Sequence, residues 1–380
     1  MCILDEKYRK TPEYRDYNVE EGINIVSKED NLLELLPDVY ISSGQSASNN
    51  HGFRSPEFNS AGISISQTIY AGGYFSKNNE RIENNQQNIQ IKIKEGRIKF
   101  ILDAFSNIQK LKNAKALIDI YNKYLDYYRI ESKRAHYMYK QGELSELELK
   151  LRDNNIKKYE KISEGLRNEA INIEWELRNK FFIYPQEIEK IDLPEIKKCK
   201  TDSFASIARQ ANLIESKTAL NNYEIEKSSY YPSLSLSLSL MPKDGGTLRN
   251  ISLREGAYGI SVNLSIPVSG LLKLSSLEDR HKITMSKINV SKDKRNAELN
   301  TKRKELEYKL ETEKRNLEDY INELQLSKVK LDYLRSSSHD NKSYVMNYIE
   351  ESNNIYSLEN KISNTKNEIE IYQAYIFYLD

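Results

Sequence analysis

The sequence lacks three things, and each absence excludes a class of protein. It has no basic excess, because 57 basic and 56 acidic residues are interspersed along 380 positions, and this excludes a nucleic-acid-binding protein. It has no apolar run near the roughly 20 residues of a transmembrane helix, so any membrane crossing must be made by strands. With 38% hydrophobic residues, 14 glycines and 8 prolines, it cannot build one thick core. Long solvated helices fit this composition.

Cysteine is scarce as well, with two residues in the chain. The sequence shows no signal peptide, so an exported form would begin here after removal of its leader. Cys2 would then lie near the mature terminus, where it is a candidate lipidation site, with an unmodified residue as the equal alternative. Cys199 lies in a Lys-rich linker and is interpreted as structurally incidental.

One stretch of sequence occurs twice, at an offset of about 195 positions. Pro37 corresponds to Pro232, and Gly62 corresponds to Gly259, so the spacing inside the two copies is nearly the same. Each copy reads as two strands that are followed by a long helix. The duplication predicts that each half of the chain runs strand, strand, long helix, turn and shorter returning helix.

The strands carry the clearest pattern. Ser233 to Leu240 alternates between serine and leucine, as expected for a strand whose successive side chains point to opposite sides. The segment from Tyr258 alternates in the same way, and Ile63 and Ile65 mark the corresponding segment of the first copy. Strands of about ten residues with one apolar and one small-polar face are typical of outer-membrane barrels. The predicted lipid-facing side chains are Leu234, Leu236, Leu238, Leu240, Ile260, Val262 and Leu264.

A long helix follows each strand pair. Residues from about 74 to 138 have no proline and one glycine, which predicts a helix of about 65 residues and roughly 95 Å. Residues from about 273 to 335 have neither. In both, apolar residues recur every seven positions, as in a coiled coil. These residues are Ala104, Leu111, Ile118 and Leu125, flanked by Ala114, Tyr121 and Tyr128, and then Leu310, Leu317, Leu324 and Leu331.

Shorter helices complete the pattern. One is predicted from about 144 to 182, where the single tryptophan, Trp175, is expected in a packed core, and another from about 344 to 378. Ser203 fits an N-cap for a helix that reaches about Tyr230. The residues before the first strand are expected to form a short, weakly helical lead-in.

Alternation alone fits a soluble β-sandwich as well as a membrane barrel. The long helices favour the barrel. Four strands cannot close a barrel by themselves, and exposed strand edges are not viable in hydrocarbon. Several chains must therefore share one barrel. The alternative is a soluble coiled-coil structural or tether protein with a small β-sandwich.

Three short motifs accompany this order of elements. Gln67 to Gly73 ends a strand in a polar, aromatic and Gly-Gly run, and Ser265 to Gly270 keeps a proline and one glycine before the second long helix. Tyr139 to Glu146 is an aromatic residue, a glycine and an acidic polar turn. Over about residues 30 to 380, the chain resembles the outer-membrane efflux protein family, the TolC-like exit ducts. It departs from the family where Thr68 replaces a proline and where the second turn, 336–342, has no glycine.

The resemblance implies a fold that combines an all-α coiled-coil barrel with a membrane β-barrel. Three chains would form a homotrimer in the outer membrane, in which each gives four strands to a twelve-stranded barrel and long helices to a periplasmic tunnel. No enzymatic chemistry, cofactor or metal is implied. The expected partners are outer-membrane lipid, a periplasmic adaptor protein and, through it, an inner-membrane transporter, for efflux or protein secretion.

The resemblance also implies a gate. The family's paired acidic constriction residues correspond to Asn347 and Glu350, with Tyr348 between them. Of the pair, only Glu350 is acidic in this sequence. One Glu350 per chain would form a ring of carboxylates that attracts cations. An ordinary solvated helix residue is the alternative. The expected adaptor contacts, for which a plain solvated turn is the alternative, are Gly142, Glu143, Ser145, Asp340 and Lys342.

The expected segments follow from this arrangement. In chain order they are a lead-in at 1–36, a first strand pair at 37–73, a first helical hairpin at 74–184, an equatorial linker at 185–201, an ascending helix at 202–231, a second strand pair at 232–270 and a second helical hairpin at 271–380.

Overall fold

The computed structural model describes residues 2–46, 57–242, 256–336 and 342–380. The predicted order of strands and helices is confirmed within these ranges. The elements are α1 (Ile3–Tyr8), α2 (Pro12–Leu33), β1 (Asp38–Ser46), β2 (Glu57–Ala71), α3 (Tyr74–Lys140), α4 (Glu146–Lys180), α5 (Pro185–Ile188), α6 (Leu193–Lys198), α7 (Phe204–Ser228), β3 (Ser233–Pro242), β4 (Gly256–Ser265), α8 (Gly270–Ser336) and α9 (Lys342–Leu379).

These elements form two compact units, which are described one at a time. The strand unit contains the sheet and the helical segments that adjoin it, at Asp16–Lys92 and Arg209–Lys294. The helical unit contains Met1–Arg15, Ile93–Ala208 and Arg295–Asp380. Among the residues described here, no helix combines the length and the apolar composition needed to cross a bilayer.

The strand unit holds one antiparallel sheet in the order β1-β2-β3-β4. Its register lines up apolar side chains of all four strands in rows on one face. The other face carries mostly small polar side chains, together with Asp38 and Tyr40 of β1. The predicted alternation is therefore confirmed. One apolar row is Val39, Ile65, Leu238 and Ile260, and the next is Ile41, Ile63, Leu240 and Tyr258.

A glycine joins the end of β2 to α3 by a close backbone approach. Gly72 has φ +60°, and a Cβ added there would lie 2.3 Å from the carbonyl oxygen of Ser228 at the end of α7. The same Cβ would lie 2.9 Å from Cβ of Tyr231. The neighbouring Gly73 has φ +88° but nothing within 4 Å of the corresponding position. Of these two glycines, Gly72 is the one that packing requires, because it lets the junction of β2 and α3 touch the junction of α7 and β3.

The lead-in is more regular than expected. The prediction of a short, weakly helical segment is wrong, because α2 is a continuous helix of 22 residues. It packs on α3 through buried amides: Asn24 Nδ2 donates to the carbonyl oxygen of Ile82 at 3.1 Å, and Asn78 Nδ2 donates to Asn31 Oδ1 at 2.6 Å. Asn24 and Asn31 are both buried. An amide interface leaves no apolar stripe in the sequence, and this is why the pattern missed the helix.

In the helical unit, the predicted seam of α3 forms the core. Ala104, Leu111 and Leu125 are buried, as are the flanking Tyr121 and Tyr128. The predicted N-cap of α7 is also confirmed, because Ser203 Oγ accepts from the backbone N–H of Ser206 at 3.1 Å.

A disulfide connects the beginning of the chain to this unit. Cys2 and Cys199 are bonded to each other across 197 positions. Nearby, Arg97 donates to Asp5 Oδ1 at 2.6 Å and to the carbonyl oxygen of Cys199 at 2.7 Å. Lys7 also forms an ion pair with Glu187 at 2.7 Å. The interpretation of Cys199 as incidental is therefore wrong, since its sulfur fixes α1 to the end of α6.

Two further expectations fail for physical reasons. Lipidation of Cys2 needs a free sulfur to form the thioether, and in this structure the sulfur is committed to the disulfide. Trp175 was expected in a packed core, but 69% of its surface is exposed, because it lies on the face of α4 that turns away from α3.

We expect Gly72→Ala to be much more damaging than Gly73→Ala. Both substitutions strain a positive φ, but only the first forces a methyl group against a backbone oxygen that cannot move without its helix. The additional cost should be about 1–3 kcal/mol. Far-UV circular dichroism during urea unfolding would measure it. Equal losses of unfolding free energy in the two variants would show that the junctions do not depend on this contact.

We expect loss of the disulfide to lower thermal stability. The bond closes a loop of 197 residues, and removing it should cost about 2–5 kcal/mol, chiefly by enlarging the unfolded ensemble. The comparison is between wild type and the Cys2→Ser/Cys199→Ser double variant in thermal unfolding, with and without reductant. Reductant should shift only wild type. Titration of two free thiols in unreduced wild-type protein would contradict the pairing.

Candidate functional site

The candidate site is the beginning of α9. Asn347 and Glu350 are three positions apart on this helix, and both side chains are exposed. Tyr348 lies in the same helix, but its side chain is outside what the structure describes. Lys342 is the first residue of α9, and Asp340 lies outside the described residues. The structure therefore places the two predicted constriction residues on one accessible side of the helix.

The residue that follows Glu350 fixes α9 to α8. Glu351 is 4% exposed, and its carboxylate accepts a hydrogen bond from Lys330 Nζ. One turn further on, Asn354 Nδ2 donates to Ser327 Oγ at 3.0 Å. Burial alone would raise the pKa of Glu351, but the hydrogen bond and charge of Lys330 outweigh burial and hold this pKa below its ordinary value. The ionised form of Glu351 thus stabilises the contact.

On another side, tyrosines of α3 and α4 hold the same turns of α9. Asn353 Oδ1 accepts hydrogen bonds from the hydroxyl groups of Tyr128 and Tyr159, the latter at 2.7 Å. The ring of Tyr356 lies edge-on against the rings of Tyr121 and Tyr124, with 4.6 Å between centroids in each case. Burial raises the pKa of Tyr128 and Tyr124, so both phenols stay neutral, and Tyr128 keeps the proton that it donates to Asn353. These contacts fix the rotation of α9 about its axis.

Sequence reasoning missed this second set of residues. The tyrosines of α3 were identified as a packing seam, but nothing in the sequence pairs them with Asn353 or separates Glu351 from Glu350. Neighbouring residues on a helix point about 100° apart. Which of two adjacent glutamates is buried therefore depends on how the helix is rotated, and tertiary contacts alone decide that.

The first helical turn lies between α3 and α4. Gly142 has φ +78°, and its N–H donates to the carbonyl oxygen of Tyr139 at 3.0 Å, as in a glycine-terminated helix. Ser145 then caps α4 in a reciprocal pair of hydrogen bonds with Glu148. Gly142, Glu143 and Ser145 are exposed, while Leu144 beneath them is buried. The turn is therefore held by hydrogen bonds at both of its ends, and its polar groups are accessible to solvent.

Comparison with solved structures identifies the fold. CmeC, an outer membrane channel of Campylobacter jejuni, is similar with a TM-score of 0.73 and 12% identity, over 99% of this chain and 84% of that one. The outer membrane channel MtrE of Neisseria gonorrhoeae, in its open state, is similar with a TM-score of 0.72 and 12% identity, over 99% of this chain and 87% of that one. VceC of Vibrio cholerae, an outer membrane protein, is similar with a TM-score of 0.69 and 12% identity, over 99% of this chain and 94% of that one.

The chain therefore has the fold of the bacterial outer-membrane channels, and the resemblance to the TolC-like ducts is confirmed at the level of the fold. No protein-family model matches the sequence, and no curated protein sequence matches it. Identities of 12% establish architecture alone, so residue roles must rest on the geometry of this chain.

We expect Glu351→Gln to destabilise the protein by about 1–2 kcal/mol at neutral pH, since it weakens a largely buried contact to a partly exposed lysine. The pKa of Glu351 is lowered in the fold, so its contribution is complete above the unfolded value and is lost as pH falls through the folded value. The difference from wild type should therefore shrink below about pH 4.5.

The measurement is thermal unfolding of both proteins between pH 3 and 8, with Glu350→Gln as the matched control. That variant removes the same charge one residue away, at an exposed position, and should stay close to wild type throughout. A stability difference for Glu351→Gln that does not change with pH would exclude the proposed ion pair.

Proposed function

We propose that the chain is one protomer of a trimeric outer-membrane channel-tunnel that exports substrate to the cell exterior. The observation that carries this proposal is the four-stranded sheet, whose apolar face is not covered by other elements of the described chain. Its outward rows include Ile260, Val262 and Leu264, which are 70%, 64% and 63% exposed. A contiguous apolar face of this size requires a nonpolar environment, and the fold shared with outer-membrane channels points to a lipid bilayer.

The edges of the sheet support assembly. Among the described residues, β1 and β4 each have a neighbour on one side only. Unpaired backbone groups on both edges would each cost several kcal/mol in hydrocarbon, so β4 of one protomer should pair with β1 of the next. Three copies of this sheet would make a closed barrel of twelve strands, which is within the range of outer-membrane barrels.

The long helices would continue this barrel as a tunnel across the periplasm. In the trimer, three copies of α9 would bring Asn347 and Glu350 together around the axis and form the gate. The contacts of Glu351, Asn353 and Tyr356 would hold each α9 in the closed position. Gly142, Glu143 and Ser145, together with Asp340 and Lys342 at the second turn, would meet a periplasmic adaptor that links the duct to an inner-membrane transporter.

A soluble tether with a small β-sandwich would need the apolar face to pack inside its own chain. The exposure of Ile260 and its row neighbours weighs against that alternative. No chemical step is required of a duct, and the proposed function assigns none.

The purified protein should elute from detergent as a trimer and should open ion channels in planar bilayers. In this assay Glu350→Gln is expected to change single-channel conductance and to weaken block by divalent cations, because it removes three carboxylates from a narrow ring. Glu164→Gln, which removes an exposed carboxylate from α4, should conduct like wild type.

Two results would contradict the proposal at different levels. A water-soluble monomer without channel activity would exclude the duct altogether. Channels whose conductance and cation block are the same in wild type and Glu350→Gln would leave the duct standing but would remove Glu350 from the constriction.

A further inference from the structure

We propose that α2 depends on a second copy of the chain for its apolar contacts, because its exposed apolar side packs on α8 of the neighbouring protomer. The contact lies in the part of each helix that belongs to the strand unit. This inference rests on the proposed function, since it uses the closed trimer. It extends that function by identifying the residues through which neighbouring protomers meet outside the barrel.

The amphipathic character of α2 is inverted relative to that of a typical surface helix. Its own chain covers a polar side, where the buried Asn24 and Asn31 form hydrogen bonds with α3. The side turned away from these asparagines has a stripe of aliphatic residues at intervals of four, three and seven positions, which places them along one line. They are Val19, Ile23, Val26 and Leu33, and each is 53–62% exposed. The chain's own contacts therefore leave the apolar side of α2 uncovered.

The helix α8 also has a covered side and an uncovered apolar side. Leu277 and Ile288 are buried, whereas Leu272, Ile283 and Val290 are 84%, 70% and 65% exposed. Steps of eleven and seven residues are close to whole numbers of helical turns, so the three exposed side chains lie along one line. That line is on the opposite side of the helix from the two buried residues. A second apolar stripe in the strand unit therefore needs a partner.

The edges of the sheet bring the two stripes together in the trimer. Four residues separate α2 from β1, and four separate β4 from α8, and both connections are at the same end of the antiparallel sheet. When β4 of one protomer pairs with β1 of the next, α8 of the first and α2 of the second leave neighbouring strands side by side. Strands are spaced about 5 Å apart and packed helices about 8–10 Å apart, so these two helices come into contact.

Lipid does not account for both stripes. Val19 is fourteen residues before Leu33, the end of α2, and Ile283 is thirteen residues after Gly270, the beginning of α8. Each is therefore about 20 Å along its helix from the sheet. The strands already span the hydrocarbon, and the headgroup layer adds about 5–8 Å. These residues lie beyond the bilayer, where a contiguous apolar stripe marks a contact with protein.

Charge favours the same pairing. Residues 16–33 of α2 include five acidic residues and one basic residue, whereas residues 270–294 of α8 include six basic and three acidic residues. The net charges of these segments are therefore −4 and +3. Two copies of α2 would repel each other, as would two copies of α8, while α2 and α8 attract. Charge thus selects the contact between unlike surfaces that a closed ring of three chains requires.

Cross-linking tests the contact. Both native cysteines are in the disulfide, so Val19→Cys/Ile283→Cys introduces two free thiols per chain. The trimer in detergent is treated with a short bismaleimide and then separated on a fully denaturing gel. Covalent dimers and trimers should form, because each link joins two chains. Neither single-cysteine variant should form them.

The matched control is Val19→Cys/Thr284→Cys. Thr284 is exposed like Ile283, but its side chain points about 100° away around the same helix. The yield of covalent dimers and trimers should be at least about fivefold lower than with Ile283→Cys, because a side chain turned by about 100° leaves the line of contact.

Hydrogen exchange tests whether α2 depends on the neighbouring copy. Ile283→Asp places a charge in the contact without changing any residue of α2. In this variant the amides of residues 19–33 should exchange about tenfold faster than in wild type or more, because α2 loses its apolar partner. The same amides in Thr284→Asp should exchange as in wild type. The cysteine variants decide the contact even where Ile283→Asp does not assemble.

Three outcomes would overturn the inference. One is equal cross-linking with Ile283→Cys and Thr284→Cys, and another is unchanged exchange of α2 in an assembled Ile283→Asp trimer. The third is a trimer without cross-linked species, in which reaction of both thiols with a water-soluble maleimide would show that the stripes face water, and lack of reaction that another partner covers them. Failure of the proposed function differs from all three, because wild type would then form neither trimers nor channels in planar bilayers.

Discussion

The structure depends on a constraint of backbone hydrogen bonding. Within the part of the chain that the structure describes, the sheet pairs four strands internally but leaves an unpaired edge on β1 and another on β4. In water such edges are an aggregation hazard, and in lipid they are not tolerated. Because the sheet also exposes an apolar face, both problems have the same solution, which is closure with copies of itself in a bilayer. The proposed trimer follows from these unsatisfied groups rather than from any single contact.

A second constraint acts where the strands of the sheet continue into helices. β2 and α3 are joined by two residues, so the junction has no long loop. At Gly72 the backbone adopts a positive φ that glycine favours, and the absent side chain lets two backbones meet. Polar contacts are prominent beyond the junctions: α2 packs on α3 through asparagine amides, and Glu351 and Asn353 of α9 add hydrogen bonds to the aromatic packing of Tyr356. Apolar burial concentrates along α3, where the helical unit has its core.

The predictable part of the fold is the part governed by short-range periodicity. The alternation from Ser233 to Leu240 determines which face of β3 is apolar, and the absence of proline in α3 and α8 predicts their length. The rest depends on contacts between distant residues. Pairing of Cys2 with Cys199 spans 197 positions and has no local signal. For the candidate site, the sequence located the beginning of α9 but could not determine that Glu351, and not Glu350, is the buried carboxylate.

The polar contacts at the beginning of α9 fit the gate that is proposed for this helix. A buried leucine seam resists separation because every exposed methylene costs about 0.8 kcal/mol, whereas a hydrogen bond exchanged for water costs about 0.5–1.5 kcal/mol net. The contacts of Glu351, Asn353 and Asn354 with the surrounding helices are of the second kind, and Lys330 is already 61% exposed to water. Together with the ring contacts of Tyr356, these bonds give α9 a defined rotation, and the polar part of that contact costs little free energy to exchange for water.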